Sequence, residues 1–384
     1  MQDLNSIKLH ISGTQVDRYV ALSHCWGKSK PFTTTKSTLP QRMSGFQLSE
    51  IPKTFSHAIF TTHLLGIRYL WIDSLCIVQD DPSDWRRESA TMGDVYSNAY
   101  FTIAAGNAPE DTQGFLMLRG HNIVTLKINS ASGDSADVLL QSNAWLRPGL
   151  SMEKTPLYRR AWTLQEQYLS PRIITFYDFM TSWRCGDTFL YDTMEQGFGA
   201  LNNPNYMVEQ ASKWPWAALI IHFCYRDITF ETDTFHALAG LAAHFSKIKQ
   251  SQYCAGLWYN EMPKCLLWSP TEATGGQIRG KPHTKYVELS WSWAALKLDA
   301  SFKYSFSDRG TKLENNVDGE KGFPNTPTVS SFRLIECYTP TAGESPFGAV
   351  EEGAYLSLEV SLVPVKLKRP GILRLVPKKY YSVR

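Results

Sequence analysis

No two of the seven cysteines (25, 76, 185, 224, 254, 265 and 337) stand in a C-x-x-C pair, and an odd number cannot all be bridged within one chain. A disulfide framework and a classical zinc site both depend on paired spacing. Neither metal nor bridge is therefore expected, and the compartment reads as reducing. Also absent is any apolar run near the ~18 residues of a membrane span. The first residues, "MQDLNSIKLHISG", lack the basic-then-apolar order of a secretory signal. A cytoplasmic protein without a membrane span is the expectation. Charge of one sign is scarce as well. Lys and Arg number 39 against 36 Asp and Glu, a net +3, and the basic cluster "KLKRP" is too short for a nucleic-acid stripe. No nucleic-acid partner is expected. The G-x-G-x-x-G, P-loop, H-E-x-x-H and G-x-S-x-G patterns are missing too. That removes the standard dinucleotide, phosphate-cradling, zinc-protease and serine-hydrolase readings.

What is present suits a soluble chain with a sizeable core: 43% of residues are apolar and 20% charged. A length of 384 residues exceeds one ordinary domain. "YVALS", 19–23, reads as a strand. After a polar loop with two prolines, Thr54 caps a helix in "FSHAIFTTHLLG". "IRYLWIDSLCI" is an apolar run of the kind buried on both faces of a sheet. "PSDWRRESATMGDVYSNA" has Ser83 or Asp84 as N-cap and an apolar stripe of Trp85, Met92, Val95, Tyr96 and Ala99, so it reads as a helix. "AYFTIAAGNA" closes the series as a third buried strand. Alternation of this kind argues for a mainly parallel sheet flanked by helices, the α/β class, with strands at Tyr19–Ser23, Tyr69–Asp73 and Tyr100–Ala104 as neighbours. "NIVTLKINS" and "SADVLLQS" look like a β-rich insertion. A first domain over 1–190, with its core from 15, and a mixed α+β C-terminal region over 191–384 are expected. In that region "DTFHALAGLAAHFSKI" reads as a helix, short antiparallel strands are expected from about 323, and 305–327 reads as a disordered loop.

Ligands of such sheets bind outside the carboxyl ends of the strands. Those ends carry "SHCWG" (Ser23, His24, Cys25, Trp26, Gly27) and Asp73 with Cys76. "WIDSLCIVQDDPSDWRRE" gathers Asp73, Gln79, Asp80, Asp81 and Glu88 at one strand–loop–helix corner. Such carboxylates can bind a metal, hold a sugar's hydroxyls or supply a general base. They can equally cap the helix (Asp80, Asp81) or pair with Arg86 or Arg87 (Glu88). "RRAWTLQE" adds Arg160 against negative charge, Trp162 to stack a planar ring or anchor a core, and Gln165 and Glu166 to hydrogen-bond it. His24 and Cys25 are neighbours on a strand and face opposite ways, so they do not form a Cys–His nucleophile. The expectation is one site at the carboxyl edge of the sheet. Its catalytic residues would be Glu88, Asp73 and His24. Its binding residues would be Trp26, Cys76, Gln79, Asp81, Arg160, Trp162, Gln165 and Glu166, with no metal.

At these residues the chain resembles the fungal heterokaryon-incompatibility (HET) domain. "YVALSHCWG", "YLWIDSLCIVQDDPSDWRRESATMGDVYSNAYFTIAA" and "RRAWTLQEQYLSPRIITFY" look like its three blocks, in order, over roughly 15–190. "YRDITFETDTFHALAGLAAHF", "AGLWYNEMPKCLLW" and "LSWSWAAL" are similar to the region that often follows. His24 stands where the family usually has tyrosine, and Val78 where it often has asparagine. The resemblance implies a part in non-self recognition and cell death on fusion of incompatible hyphae. It also implies a TIR-like α/β sandwich, since remote similarity to TIR domains has been proposed for the family. Some TIR domains cleave NAD at its glycosidic bond with a glutamate, which carried over makes Glu88 the candidate, beside Asp73 and Trp26. No cofactor is required on this reading, and NAD is the candidate substrate. A small-molecule ligand, a second copy of the chain or a fungal incompatibility protein are the partners to expect. Two other readings stay open: a cyclase- or isomerase-type tailoring enzyme acting on a hydrophobic natural product, suited to the twelve tryptophans, and a non-catalytic scaffold. Signalling stands first because the motifs come with it.

Overall fold

A computed structural model of the chain describes residues 7–27, 32–117, 123–129, 135–141, 155–178, 180–186, 188–191, 215–266, 268–272, 281–282, 289, 291–297, 302–306, 332–341 and 345–360. The chain divides into two compact units, Met1–Lys213 and Trp214–Arg384.

In the first unit the strands are β1 (Tyr19–Ser23), β2 (Tyr69–Ile72), β3 (Phe101–Ala104), β4 (Ile123–Asn129), β5 (Ser135–Gln141), β6 (Arg172–Phe176), β7 (Thr181–Cys185) and β8 (Thr188–Tyr191). The helices are α1 (Leu39–Ser44), α2 (Lys53–Leu64), α3 (Asp73–Cys76), α4 (Pro82–Asn98) and α5 (Thr163–Leu169). Six strands form one sheet in the order β2-β1-β3-β6-β7-β8. The first four run parallel, and β7 and β8 close the far edge antiparallel. The expected α/β sheet is thus present. Strands β4 and β5 pair with each other as a separate antiparallel hairpin, where a β-rich insertion was read.

Alternation along β1 divides its side chains between the faces. Val20 and Leu22 join Phe55 and Ala58 of α2 in one core, while Ala21 packs with Met92 and Tyr96 of α4 in another. Helices therefore cover both faces, and central β1 and β3 are buried throughout apart from Tyr19. Strand β2 departs from expectation. Its apolar run was read as buried on both faces, yet Tyr69, Leu70 and Trp71 are only half-buried, because β2 is the edge strand. That run also ends sooner than expected. Asp73 leaves the strand and opens α3, its Oδ1 accepting from the N–H of Ser74 at 2.7 Å.

Two caps differ from the sequence reading as well. Helix α4 is capped by Asp81, which accepts from the N–H of Ser83 at 3.0 Å, with Pro82 in the first turn. Proline's missing N–H and fixed φ suit that position, which moves the start upstream of Ser83. Helix α2 starts at Lys53 behind Pro52, so Thr54 lies inside its first turn. Its hydroxyl accepts instead from Gly114 N at 3.1 Å and ties a loop to the helix.

From β1 the chain passes to β2 on one side, then crosses back to β3 on the other. The connections diverge between β1 and β3, and there the carboxyl ends of the strands stand clear of a covering crossover. Helix α5 packs against α4 and β1, which brings its residues to the same edge.

In the second unit, α6 (Pro215–Cys224) and α7 (His236–Lys249) pack around tryptophans. Trp216, Trp258 and Trp293 are fully buried, and Trp216 meets Trp258 edge to face with ring centroids 5.6 Å apart. The indole N–H groups of Trp216 and Trp293 both donate to the carbonyl of Gly256, at 2.9 and 3.2 Å. Paired indoles of this kind are core anchors. Helix α7 lies where one was read, and antiparallel pairs join 268–272 to 302–306 and 332–338 to 355–360. The loop read as disordered lies, from 307 on, outside the described residues, as do the last strands expected beyond 360. Among the described residues no helix is long and apolar enough to cross a membrane.

Candidate functional site

Parallel pairing sets Leu22 opposite Ile72, so the chain leaving β1 runs beside the chain leaving β2. Asp73 is where the two meet. Its Oδ2 accepts from the Trp26 indole N–H at 2.9 Å, and its Oδ1 lies 3.6 Å from His24 Nδ1. With Ser74 N also on Oδ1, the carboxylate is held by two donors, with His24 just beyond hydrogen-bond reach, while 13% of the side chain stays exposed. Gln79 braces the corner from behind, its amide donating to the carbonyls of Asp73 (3.2 Å) and Ile77 (3.1 Å).

His24 and Cys25 do face opposite ways. The His24 ring stands edge-on to Phe55 of α2, with centroids 5.0 Å apart, whereas Cys25 packs with Ala104, Leu157 and Ile173. Burial pushes the His24 imidazole down to about 4; the nearby Asp73 charge opposes this and Arg160 adds to it. The ring is neutral at physiological pH. Burial also pushes the Cys25 thiol up to about 11 and that of Cys76 to about 12. Thiols so protonated are poor nucleophiles.

Helix α5 supplies the second carboxyl group. The turn before it is held by the Thr163 hydroxyl, 2.8 Å from the carbonyls of Leu157 and of Arg160. From that turn the Arg160 guanidinium donates to the carbonyl of His24 and fastens the end of β1. Glu166 follows, only 4% exposed. Burial raises its carboxyl to about 7, and the charge of Asp73 pushes the same way. The Ser23 hydroxyl, Arg160 and the Tyr96 hydroxyl pull it down. Glu166 Oε2 and Ser23 Oγ are buried and without a hydrogen-bond partner. Two carboxyl groups thus sit close enough to feel each other's charge, one fixed by donors at the rim and one desolvated behind it.

Of the expected site residues, the structure gathers His24, Trp26, Asp73, Arg160 and Glu166 into one group. Gln79 and Cys76 stand on its Asp73 side, and Gln165 is buried on α5 next to Glu166. Asp81 serves as the α4 cap and lies 3.4 Å from Lys36 Nζ. Glu88 accepts from Arg87 Nε at 3.2 Å, its side chain 24% exposed, and its nearest bearing on the group is through Cys76. Trp162 is half-buried, edge-on to Trp85 at 6.4 Å and packed on the α4 side of the sheet. Ser23 and Tyr96 were not among the expected site residues. Ser23 stands in the first motif beside His24, but Tyr96 carries no signal beyond its place in an apolar stripe. Among the described residues no group of three or more His, Cys, Asp or Glu could hold a metal ion, and the seven cysteines are unbridged.

The glycine closing "SHCWG" has a steric reason. Gly27 has φ +81°, and a Cβ there would lie 2.2 Å from the Cβ of Glu110. Gly27→Ala should therefore cost more than ~1 kcal/mol, from the left-handed backbone and the displaced neighbour together. An unchanged urea midpoint for the variant would contradict this.

Residues 19–166 match the family described as Heterokaryon incompatibility protein (HET). No curated protein and no solved structure matches the chain. The matched segment opens at the first residue of β1 and ends at Glu166, so it contains every member of the group just described.

Proposed function

We propose, from a chain whose residues 19–166 are a heterokaryon incompatibility (HET) domain, that this domain hydrolyses the N-glycosidic bond of a nucleotide, with NAD as the first substrate to test. The observation that carries the reading is the pair of carboxyl groups. Glu166 is buried and raised to about 7, partly by the charge of Asp73, which accepts from Trp26 and Ser74. Two carboxyl groups in such unlike surroundings take separate roles in glycosidic chemistry. The C1′–N bond breaks with its electron pair going to the nicotinamide nitrogen, which loses its positive charge. Positive charge gathers on the ribosyl ring, where the Asp73 carboxylate stabilises it. Water then adds at C1′ and passes its proton to ionised Glu166. Loss of NAD is a direct route to the death of a fused compartment, which joins the chemistry to incompatibility. The TIR-like sandwich belongs to the same proposal. Its support is the strand order β2-β1-β3-β6, with ligand-facing carboxylates beside the β1/β3 divergence.

A second reading, a tailoring enzyme of cyclase or isomerase type, draws on the half-buried Trp85 and Trp162, whose rings suit a flat apolar ligand. The same carboxyl pair would move protons for it. Purified protein is incubated with NAD and, separately, with a fungal metabolite extract, and both are followed by mass spectrometry. Conversion of NAD to ADP-ribose and nicotinamide in equal amounts, lost in Asp73→Asn, is the expected result. NAD untouched while a metabolite is converted favours the tailoring enzyme, and neither changing leaves a scaffold.

A further inference from the structure

We infer that Ser23, together with Glu166, seats a neutral hydroxyl of the substrate, the 2′-hydroxyl of the ribose on which the proposed hydrolysis acts; this rests on that reading of the reaction. Ser23 is 0% exposed and Glu166 4%. Ser23 Oγ and Glu166 Oε2 have no partner in hydrogen-bond geometry, although the Ser23 hydroxyl lies near enough to the Glu166 carboxyl to pull it down. Buried polar groups in folded proteins are nearly always paired, and one left unpaired is costly. Two such groups side by side at the carboxyl end of β1 are accounted for by a ligand that pairs them.

The chemistry of the pair selects that ligand. A serine hydroxyl donates or accepts, and the carboxyl of Glu166 accepts when ionised and donates when protonated. A hydroxyl matches both states, because it also donates and accepts. A phosphate does not. It would sit against the carboxyl groups of Glu166 and Asp73, whose charges already act on each other at Glu166. The group therefore takes an uncharged, hydroxylated part of the substrate and leaves phosphates outside.

The test compares nicotinamide riboside with its 2′-deoxy form in wild type and in Ser23→Ala. The analogue's own greater lability cancels, because both proteins meet the same two substrates. The kcat/KM preference for the hydroxylated substrate should shrink about tenfold or more in Ser23→Ala, the scale of one buried hydrogen bond. The variant's thermal midpoint should stay level or rise, since an unpaired buried hydroxyl is removed. A purely structural role would lower the midpoint. Hydrolysis with the preference unchanged in the variant would overturn the inference and leave the proposed reaction standing. If wild type hydrolyses neither riboside, the proposed reaction is judged on NAD itself and binding decides the seat. Ribose raising the midpoint of wild type more than 2-deoxyribose does, with the difference lost in Ser23→Ala, supports it. Equal shifts overturn it.

Discussion

Glu166→Gln should lower the turnover of NAD about 10²- to 10⁴-fold, the range for loss of one general acid–base group, and leave the fold intact. The substitution keeps shape and volume at a buried position and removes only the ability to ionise. In wild type the carboxyl is raised to about 7 by burial and by Asp73, so kcat/KM should climb as pH passes through that value. The variant should lose that limb. Glu88→Gln is the companion measurement. Glu88 pairs with Arg87 on a partly exposed face of α4 and touches the group only through its charge on Cys76. It should cost no more than a few-fold. The reverse pattern, with Glu88→Gln inactive and Glu166→Gln near wild type, would move the chemistry to the Cys76 end of the corner.

The second large effect is on stability against pH, where the two buried groups act in opposite directions. His24 has its folded value lowered from 6.5 to about 4. Its contribution is present above 6.5 and is lost as pH falls through 4, because the unfolded chain takes up the proton first. Glu166 has its folded value raised from 4.5 to about 7. Its contribution is present below 4.5 and is lost as pH rises through 7. Each full shift corresponds to about 3 kcal/mol. Between 4.5 and 6.5 the two slopes oppose, so in wild type this pair nearly cancels. Glu166→Gln should expose the His24 slope and lose stability steeply toward acid. His24→Asn should expose the Glu166 slope and lose stability from pH 4.5 toward 7. Three further histidines, His57, His222 and His236, are also lowered by burial, and they act alike in all the proteins. Urea midpoints at pH 4 to 8, taken as differences from wild type, isolate the pair. Difference curves of the same sign would refute the assignment of these two groups.

What this amino-acid sequence determined by itself is the central sheet and one side of the site. Strands β1 and β3 were legible because both faces of each are covered, which forces runs such as "YVAL" and "FTIA" to be apolar throughout. Strict alternation after Ser23 was enough to separate His24 from Cys25, and the apolar run ending at Asp73 was enough to bring that carboxylate to the sheet's edge. Strand order was not legible. Nothing local to "YLWI" shows that β2 lies outermost, since position in a sheet is set by where the crossovers land. The choice between Glu88 and Glu166 was closed to sequence for the same kind of reason. Both are helical glutamates near arginine, and their difference lies in solvent. Glu88 keeps water and a paired cation, while α5 docks on α4 and β1 and takes water from Glu166 Oε2. Desolvation belongs to segments that meet in space, and Ser23 and Glu166 meet across most of the domain's length. The tryptophans divide likewise. Their number is in the sequence, but only packing makes Trp216, Trp258 and Trp293 a core and leaves Trp26 partly exposed with its indole on Asp73.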